Sequence, residues 1–208
     1  MRIIEHAWRW AGSLSRRWGA PHYLIFHHAA AVRASPEQVH QTHLAKGWKG
    51  IAYHYYVRKD GTVHRGRPEW AMGAHTQGHD RELGVCCEGD FSRERMSAVQ
   101  LAALKALRYD VHGRYRVADR RHKDFNRTAC PGTYFPWAEV VSNPVLRMGS
   151  AGGAVKMLQL ALRAKGYRLA VDGSFGPFTR AAVLSFQKRA RLEVDGIVGP
   201  RTWRALGC

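Results

Sequence analysis

The sequence predicts a mixed α/β domain, with a central β-sheet flanked by helices, followed by a small three-helix domain. Short apolar runs of strand character alternate with helical patterns up to about residue 142. A stretch rich in Ser, Gly and Pro follows at 143–153. Beyond it, the pattern at 171–183 recurs at 194–206, and each copy ends in a helical segment. We therefore expect two domains.

The first strand and the first helix have clear signals. The run HYLIFHH at 22–28 is apolar and predicts a buried strand that ends in two histidines. We expect a helix at about 36–46, because Ser35 can cap it, Pro36 suits the first helical position and Gln38 completes a capping box.

The remaining elements complete the predicted sheet. Two strand-like runs at 51–67 surround Asp60-Gly61, a strong hairpin signal. The segment 82–90 predicts another buried strand, and apolar residues at helical spacing predict a helix over 93–115. We expect a sheet of four or five strands.

The domain boundaries follow from these patterns. We expect a catalytic domain at 1–142, a linker at 143–153 and a binding domain at 154–208. In the repeat, Asp-Gly makes a turn and Gly-Pro starts a helix. The predicted core of the small domain consists of Leu158, Leu162, Val183, Phe186, Val198 and Leu206. It has no obvious catalytic centre, which indicates a binding module.

The charge is strongly positive. Lys and Arg number 33 against 16 Asp and Glu, a formal net charge of +17. Residues 143–208 hold 11 of these cations and 3 of the acids, so the small domain is the denser in positive charge. Such an excess attracts polyanions, among them nucleic acid, anionic membranes and bacterial wall polymers. A solvated basic face is the plainer explanation, and the sequence contains no nucleic-acid-binding motif.

Cysteine use and the N-terminus bear on where the protein folds. Four cysteines, two of them adjacent at Cys86 and Cys87, are too few for a disulfide framework, which indicates a reducing compartment. The N-terminal segment lacks the apolar core of a signal peptide, and no stretch approaches the length of a membrane span. We expect the protein to be made in the cytoplasm without a signal peptide.

Four side chains are candidates for a metal site with three protein ligands. His27 and His28 end the predicted buried strand, while His122 and Cys130 flank a polar loop that ends in Pro-Gly. Two imidazoles and a thiolate suit Zn2+, and three protein ligands leave a fourth position for water. The alternative is that His122 is a plain loop residue and Cys130 a buried thiol.

Four sequence blocks resemble the zinc-dependent N-acetylmuramoyl-L-alanine amidases of the amidase-2 type, which include phage amidases and peptidoglycan recognition proteins. The blocks are IFHHAAA, GWKGIAYHYYVRKDGTVHRGR, GAHTQGHDRELGVCCEGDF and RHKDFNRTACPG. The segments LQLALRAKGY, VDGSFGPFTRAAVLSFQ and VDGIVGPRTW resemble the peptidoglycan-binding repeat of bacterial wall hydrolases.

The resemblance implies roles for individual residues. It implies that zinc is bound by His27, His122 and Cys130, and that Tyr53 orients or helps to deprotonate the zinc water. Thr128 stands where the family has Lys or Thr, and its hydroxyl could donate to the oxyanion.

Other positions carry weaker expectations. The resemblance places His75 near the substrate, and His28 is a further candidate for substrate contact. His28 and His54 could instead orient ligands through a ring N–H or simply pack in the interior. We expect Cys86, Cys87 and His43 to be structural.

Together the two resemblances imply an enzyme that cuts the amide between N-acetylmuramic acid and the L-alanine of the stem peptide. Its partners would be peptidoglycan and anionic wall polymers, and it would reach the wall after holin-dependent or lytic release, as an endolysin or an autolysin does. The rivals are a recognition protein that binds without cutting, a nucleic-acid binder, and a hydrolase of another peptidoglycan bond.

Overall fold

A six-stranded mixed β-sheet organises the first part of the chain in a computed structural model that describes residues 2–208. The strands are β1 Ile3–Ile4, β2 Tyr23–His28, β3 Tyr55–Val57, β4 Val63–Arg65, β5 Leu83–Cys87 and β6 Ala118–Arg121. They lie in the order β1-β4-β3-β5-β2-β6, and of these neighbouring pairs the β3–β4 hairpin is antiparallel and the others are parallel. The predicted mixed α/β class is confirmed.

The sheet has more strands than the four or five expected. The additional strands carry no strong sequence signal: β1 has two residues, and β6 has the sequence ADRR, without an apolar run. By contrast, β2 carries the apolar run Leu24, Ile25 and Phe26, which is fully buried between β5 and β6. The predicted strand at 22–28 and the hairpin around Asp60-Gly61 are confirmed.

Helices accompany the sheet. They are α1 Pro36–Ala45, α2 Ala98–His112 and α3 Trp137–Val141, with a 3-10 turn at His122–Asp124. The capping box of α1 is confirmed, because Gln38 N–H donates to Ser35 Oγ and Ser35 N–H donates to Gln38 Oε1. The expected start of α2 at 93 is wrong. The helix begins after Ser97, whose hydroxyl accepts a hydrogen bond from Gln100 N–H at 3.2 Å and so caps it.

The chain divides into two units. The first comprises residues up to Leu107 together with Val117–Val140, and the second comprises Arg108–Arg116 and Val141–Cys208. The second unit contains α4 Gly153–Ala164, α5 Pro177–Arg189 and α6 Pro200–Leu206. All six predicted core positions in this unit are buried, and Val155, Phe175 and Trp203 join them.

The two copies of the internal repeat form turns that are held by the same hydrogen bonds. Gln159 Nε2 donates to Asp172 Oδ1 at 2.7 Å, and Gln159 Oε1 accepts from Gly173 N–H at 2.9 Å. Gln187 makes the equivalent pair of bonds to the Asp195-Gly196 turn at 2.8 and 2.9 Å. Each Asp-Gly turn is therefore tied to the preceding helix by a buried glutamine.

Part of the 143–153 stretch pairs with other segments of the second unit, to which it belongs. Leu146 and Val198 exchange backbone hydrogen bonds of 3.1 and 2.8 Å, and Gly149 N–H donates to Phe175 O at 3.1 Å. The boundaries drawn at 142 and 154 stay a prediction. Within residues 2–208, no helix has both the length and the apolarity that a bilayer crossing requires.

Candidate metal centre

Parallel strand pairing brings two histidines together. In the register of β2 and β6, Phe26 lies opposite Arg121. His27 follows the first of these residues and His122 follows the second, so both imidazoles lie at the carboxyl edge of the sheet. Their ring centroids are 4.6 Å apart. The sheet topology thus joins residues that are far apart in sequence.

The loop after the 3-10 turn brings Cys130 to the same point. Lys123 N–H donates to the Cys130 carbonyl at 3.0 Å, which closes the loop. Cys130 Sγ lies 3.7 Å from His27 Nδ1, and the backbone amide of His28 hydrogen-bonds to the Cys130 thiol. The sulfur is therefore held against the end of β2.

Gly132 fixes the other side of this loop. Its φ of +100° lies in the left-handed region that favours glycine, and a Cβ there would lie 2.4 Å from the carbonyl carbon of Phe91. Tyr134 N–H donates to Phe91 O at 2.7 Å. The loop that carries Cys130 packs backbone to backbone against the segment after β5.

The three side chains fit a zinc ion. One donor atom each from His27, His122 and Cys130 can be chosen so that all lie within 4.8 Å of one another. A tetrahedral zinc ion with typical Zn–N and Zn–S bond lengths separates a nitrogen and a sulfur ligand by about 3.6 Å. The observed distance of 3.7 Å between His27 Nδ1 and Cys130 Sγ agrees with this value.

The protonation states also suit a metal. Burial lowers the pKa of His27 well below its usual value, with His75 and His122 adding to the effect, and burial also lowers the pKa of His122. Both imidazoles are therefore neutral and able to ligate at neutral pH. Burial raises the pKa of Cys130 to about 11, so the metal-free thiol keeps its proton and metal binding displaces it.

The second nitrogen of each histidine has a partner. His122 Nε2 donates to Asn126 Oδ1 at 3.1 Å, which leaves its Nδ1 for a metal. His27 Nε2 lies 3.1 Å from His75 Nδ1. Such partners fix the orientation of a ligating ring.

These ligands lie at a cleft of about 570 Å³ in the first unit. Besides the three candidate ligands, its wall includes the predicted residues Tyr53, Thr128 and His28. The remaining lining residues are Ala29, Ala30, Ala31, Arg33, Ala34, Gln38, Val39, Thr42, His43, Lys46 and Trp48. The cleft therefore has the three candidate ligands at one end and a wall with two cations.

Tyr53 packs beside the candidate ligands. Its ring centroid lies 5.1 Å from that of His27 and 5.7 Å from that of His43. Burial raises the pKa of Tyr53 well above its usual value, and the nearby Cys86 and Cys130 raise it further. The phenol is therefore protonated at neutral pH, and it hydrogen-bonds to the Cys86 thiol.

The Thr128 hydroxyl can donate a hydrogen bond. Its Oγ1 accepts the Cys130 N–H at 3.2 Å, a bond that uses a lone pair and not the hydroxyl proton. The side chain is exposed and lines the cleft. It can donate a hydrogen bond to a substrate oxygen next to the candidate ligands.

The other singled-out residues have different surroundings. His28 is buried at the cleft and accepts the Phe91 N–H at its Nδ1. His75 is 6% exposed and lies behind His27, not among the lining residues of the cleft. His54 accepts Gly84 N–H and donates to Ala71 O. Cys86 and Cys87 are buried free thiols.

Sequence reasoning missed the helical wall of the cleft. Gln38, Thr42 and Lys46 line it at intervals of four residues, which places them on one face of α1 and its cap. This polar stripe at helical spacing is visible in the sequence, although nothing in the sequence alone shows which face meets the cleft.

Comparison with known proteins identifies both parts. The family model described as N-acetylmuramoyl-L-alanine amidase matches residues 17–133, more than half of the chain. The model described as a putative peptidoglycan binding domain matches residues 151–206.

Solved and curated relatives agree with these matches. An endolysin amidase, LysCS from Clostridium intestinale URNW, is 38% identical, with a TM-score of 0.64 over 67% of this chain and 92% of that one. The Ph2119 endolysin from a Thermus scotoductus MAT2119 bacteriophage is 30% identical, with a TM-score of 0.62 over 67% of this chain and 96% of that one. The endolysin of Escherichia phage T7 is 30% identical over 118 residues, 51% of this chain and 78% of that protein.

The amidase model, the solved amidase that covers two thirds of the chain and the clustered donor atoms agree, and the chain therefore belongs to the N-acetylmuramoyl-L-alanine amidase family.

Proposed function

We propose that the chain is a peptidoglycan hydrolase that cleaves the amide between the lactyl group of N-acetylmuramic acid and the L-alanine of the stem peptide. The observation that carries the proposal is the convergence of three metal-binding side chains at the end of a cleft in an amidase-family domain. A binding protein needs the cleft, but hydrolysis needs the metal donors as well.

The residues that would hold the metal are His27, His122 and Cys130. Bound there, zinc would supply a Lewis acid for the scissile carbonyl and would lower the pKa of a coordinated water. The neutral imidazoles provide nitrogen lone pairs, and the His28 amide provides a hydrogen bond that favours the thiolate of Cys130.

Tyr53 and Thr128 act on the substrate beside this centre. Because the Tyr53 phenol keeps its proton, it serves as a donor to oxygen atoms that gain negative charge during the reaction. The Thr128 hydroxyl accepts the Cys130 N–H with one lone pair and keeps its proton. It donates that proton from the loop that carries Cys130. Both groups favour the tetrahedral transition state over the planar amide.

The second unit keeps the enzyme on its substrate. Its match to a peptidoglycan-binding family supports this role, and the 11 Lys and Arg residues in 143–208 are all exposed. These cations would also attract anionic wall polymers. We infer that the protein acts on the wall after release from the cell in which it is made, and its similarity to proteins named endolysins supports this inference.

Replacing Cys130 by Ser tests the proposal. The variant is expected to lose stoichiometric zinc and amide cleavage, because a serine hydroxyl is a poor zinc ligand. Cys208→Ser is the matched control, since this exposed terminal thiol lies in the second unit, and it should keep both properties. A Cys130→Ser enzyme with full zinc and full turnover would contradict the assignment. Zinc binding by the unaltered chain without turnover would indicate a recognition protein.

A further inference from the structure

The hydrogen bonds behind His27 determine where its proton lies. His75 Nε2 lies 3.1 Å from the backbone carbonyl of Glu82, and a carbonyl only accepts, so His75 donates from Nε2. A neutral imidazole carries one N–H, and His75 Nδ1 is therefore an acceptor. His27 Nε2 lies 3.1 Å from this acceptor, and the two rings are hydrogen-bonded when His27 carries its proton on Nε2. In that tautomer the free lone pair of His27 is on Nδ1, the atom that faces Cys130.

Two glycines hold the His75 ring in place. A Cβ on Gly73 would lie 2.5 Å from this ring, and a Cβ on Gly84 would lie 2.4 Å from it. The ring thus fits between two backbone segments that approach it closely because they lack side chains. With 6% exposure, it has little freedom to turn.

Thr76 and Glu82 contact the same pair of histidines and the strand beside them. Thr76 Oγ1 lies 2.9 Å from His75 Nδ1 and 3.3 Å from His27 Nε2, within hydrogen-bond reach of both. The Glu82 carboxylate accepts the backbone N–H groups of His22 and Tyr23 at 2.6 and 2.7 Å. One residue therefore anchors both His75 and the start of β2, the strand that carries His27.

We propose that His75 is a positioning residue: its Nδ1 accepts the proton of His27 Nε2 and so selects the tautomer that presents His27 Nδ1 to the metal. The inference rests on the proposed zinc site and gives His75 a role other than the substrate contact expected from the sequence. Its burial behind His27 and its absence from the cleft wall argue for this role.

Two substitutions separate the two bonds of His75. An asparagine places its amide near the position of His75 Nδ1, so His75→Asn can keep the acceptor for His27. A glutamine places its amide near the position of His75 Nε2, so His75→Gln can keep the bond to Glu82 but loses that acceptor. If His75 is only a structural support, the Glu82 bond should matter at least as much.

His40 supplies a matched control. Its Nδ1 accepts Ile51 N–H at 3.2 Å and its Nε2 donates to Arg9 O at 3.1 Å, the same pattern in a buried ring away from the cleft. His40→Gln and His40→Asn therefore report the cost of such changes where no metal ligand is involved. Circular dichroism and thermal unfolding establish that each variant compared is folded.

Zinc affinity, measured by competition with a chromophoric chelator, is the first readout. Unaltered protein that binds one zinc ion establishes the site on which the inference rests, and failure to bind would overturn the proposed function first. Given binding, His75→Gln is expected to weaken it by about 10- to 100-fold. His75→Asn and the two His40 variants should stay close to the unaltered protein. Equal losses in the two His75 variants, or a greater loss in His75→Asn, would overturn the inference.

The tautomer itself is the second readout and needs neither metal nor substrate. Long-range ¹H–¹⁵N spectra of the zinc-free protein, recorded where histidines are neutral, distinguish protonated from unprotonated ring nitrogens. We expect His27 to carry its proton on Nε2, a state retained in His75→Asn and lost or mixed in His75→Gln. A His27 protonated on Nδ1 in the unaltered protein, or an unchanged tautomer in His75→Gln, would contradict the positioning role.

Discussion

Tyr53 shows how burial sets the role of a single side chain. Burial raises the pKa of its phenol, and the thiols of Cys86 and Cys130 act in the same direction. A phenolate base is therefore disfavoured at neutral pH, whereas a phenol donor is favoured. The sequence resemblance left both roles open, and the surroundings of the ring favour the donor role.

We expect Tyr53→Phe to lower kcat by about 10²- to 10³-fold, the usual effect of losing one donor to a developing oxyanion. Zinc content should be unchanged, because the ring does not ligate the metal. Steady-state kinetics on a soluble muropeptide, with zinc measured on the same sample, checks this prediction. Unchanged kcat would remove Tyr53 from the reaction.

Thr128 offers a finer comparison. Thr128→Ser keeps the hydroxyl and should retain most activity, whereas Thr128→Val keeps the shape and loses the donor. We expect the valine variant to be roughly fivefold slower, since one hydrogen bond contributes about 1 kcal/mol. Valine also removes the acceptor for Cys130 N–H, so zinc affinity is measured on both variants. Equal activity of the two would contradict a donor role.

The buried His43 makes the stability of the fold depend on pH under acidic conditions. It is buried, its Nδ1 accepts Ala52 N–H at 3.1 Å, and burial lowers its pKa from 6.5 to about 4. The unfolded chain binds this proton near pH 6.5 and the folded chain only near pH 4. The stability is therefore complete above pH 6.5 and falls as the pH drops towards 4.

We expect this histidine to contribute up to about 1.4 kcal/mol of destabilisation per pH unit in that window. His43→Asn, which can keep the acceptor, should remove that part of the slope. Denaturant unfolding at a series of pH values, with both proteins in the same metal state, measures the difference. Parallel pH profiles would contradict a buried neutral His43.

At the scale of elements, the parallel pairing of β2 with β6 and the packing of the Cys130 loop assemble the site. The sequence predicted β2 and the three candidate ligands, because an apolar run and a family motif mark them. It did not predict β6, whose four residues are mostly polar. Nor did it predict the place of His75 behind His27, because that place depends on Gly73 and Gly84, which lie in different segments.

Substitution of Gly132 tests whether the packing of the Cys130 loop against Phe91 positions Cys130. Gly132→Ala would put a Cβ against the backbone of Phe91, at a φ of +100°. Gly12 has a similar φ of +96°, but a Cβ added there would meet no atom within 4 Å, so Gly12→Ala reports the backbone strain alone.

We expect Gly132→Ala to lose zinc affinity and stability together, because the loop that carries Cys130 must move. Gly12→Ala should lose about 1 kcal/mol of stability and keep its zinc affinity. Chelator competition and denaturant unfolding of both variants measure the two quantities. Equal zinc affinity in the two would show that the Phe91 contact does not position Cys130.

At the scale of the whole molecule, charge and repeats are the features that the sequence shows most directly. The second unit concentrates exposed cations around a small core, and the 23-residue repeat corresponds to two glutamine-tied turns. The composition shows the sign of the charge but not which polymer the protein binds. The two family matches indicate peptidoglycan.

The charge predicts salt-sensitive attachment to the wall. Replacing Arg147, Arg163, Arg168 and Lys188 by Gln should weaken co-sedimentation with purified cell walls at low salt and flatten its dependence on salt. Turnover of a soluble muropeptide should not change, because these residues belong to the second unit. Unchanged binding at low salt would show that attachment does not depend on these charges.

The most direct test of the central claim is digestion of purified peptidoglycan, with and without a zinc chelator, followed by labelling of the new chain ends. We expect new N-terminal L-alanine without new reducing sugar, lost on chelation and restored by zinc. Binding without new ends, or new ends at any other residue, would contradict a zinc-dependent amidase.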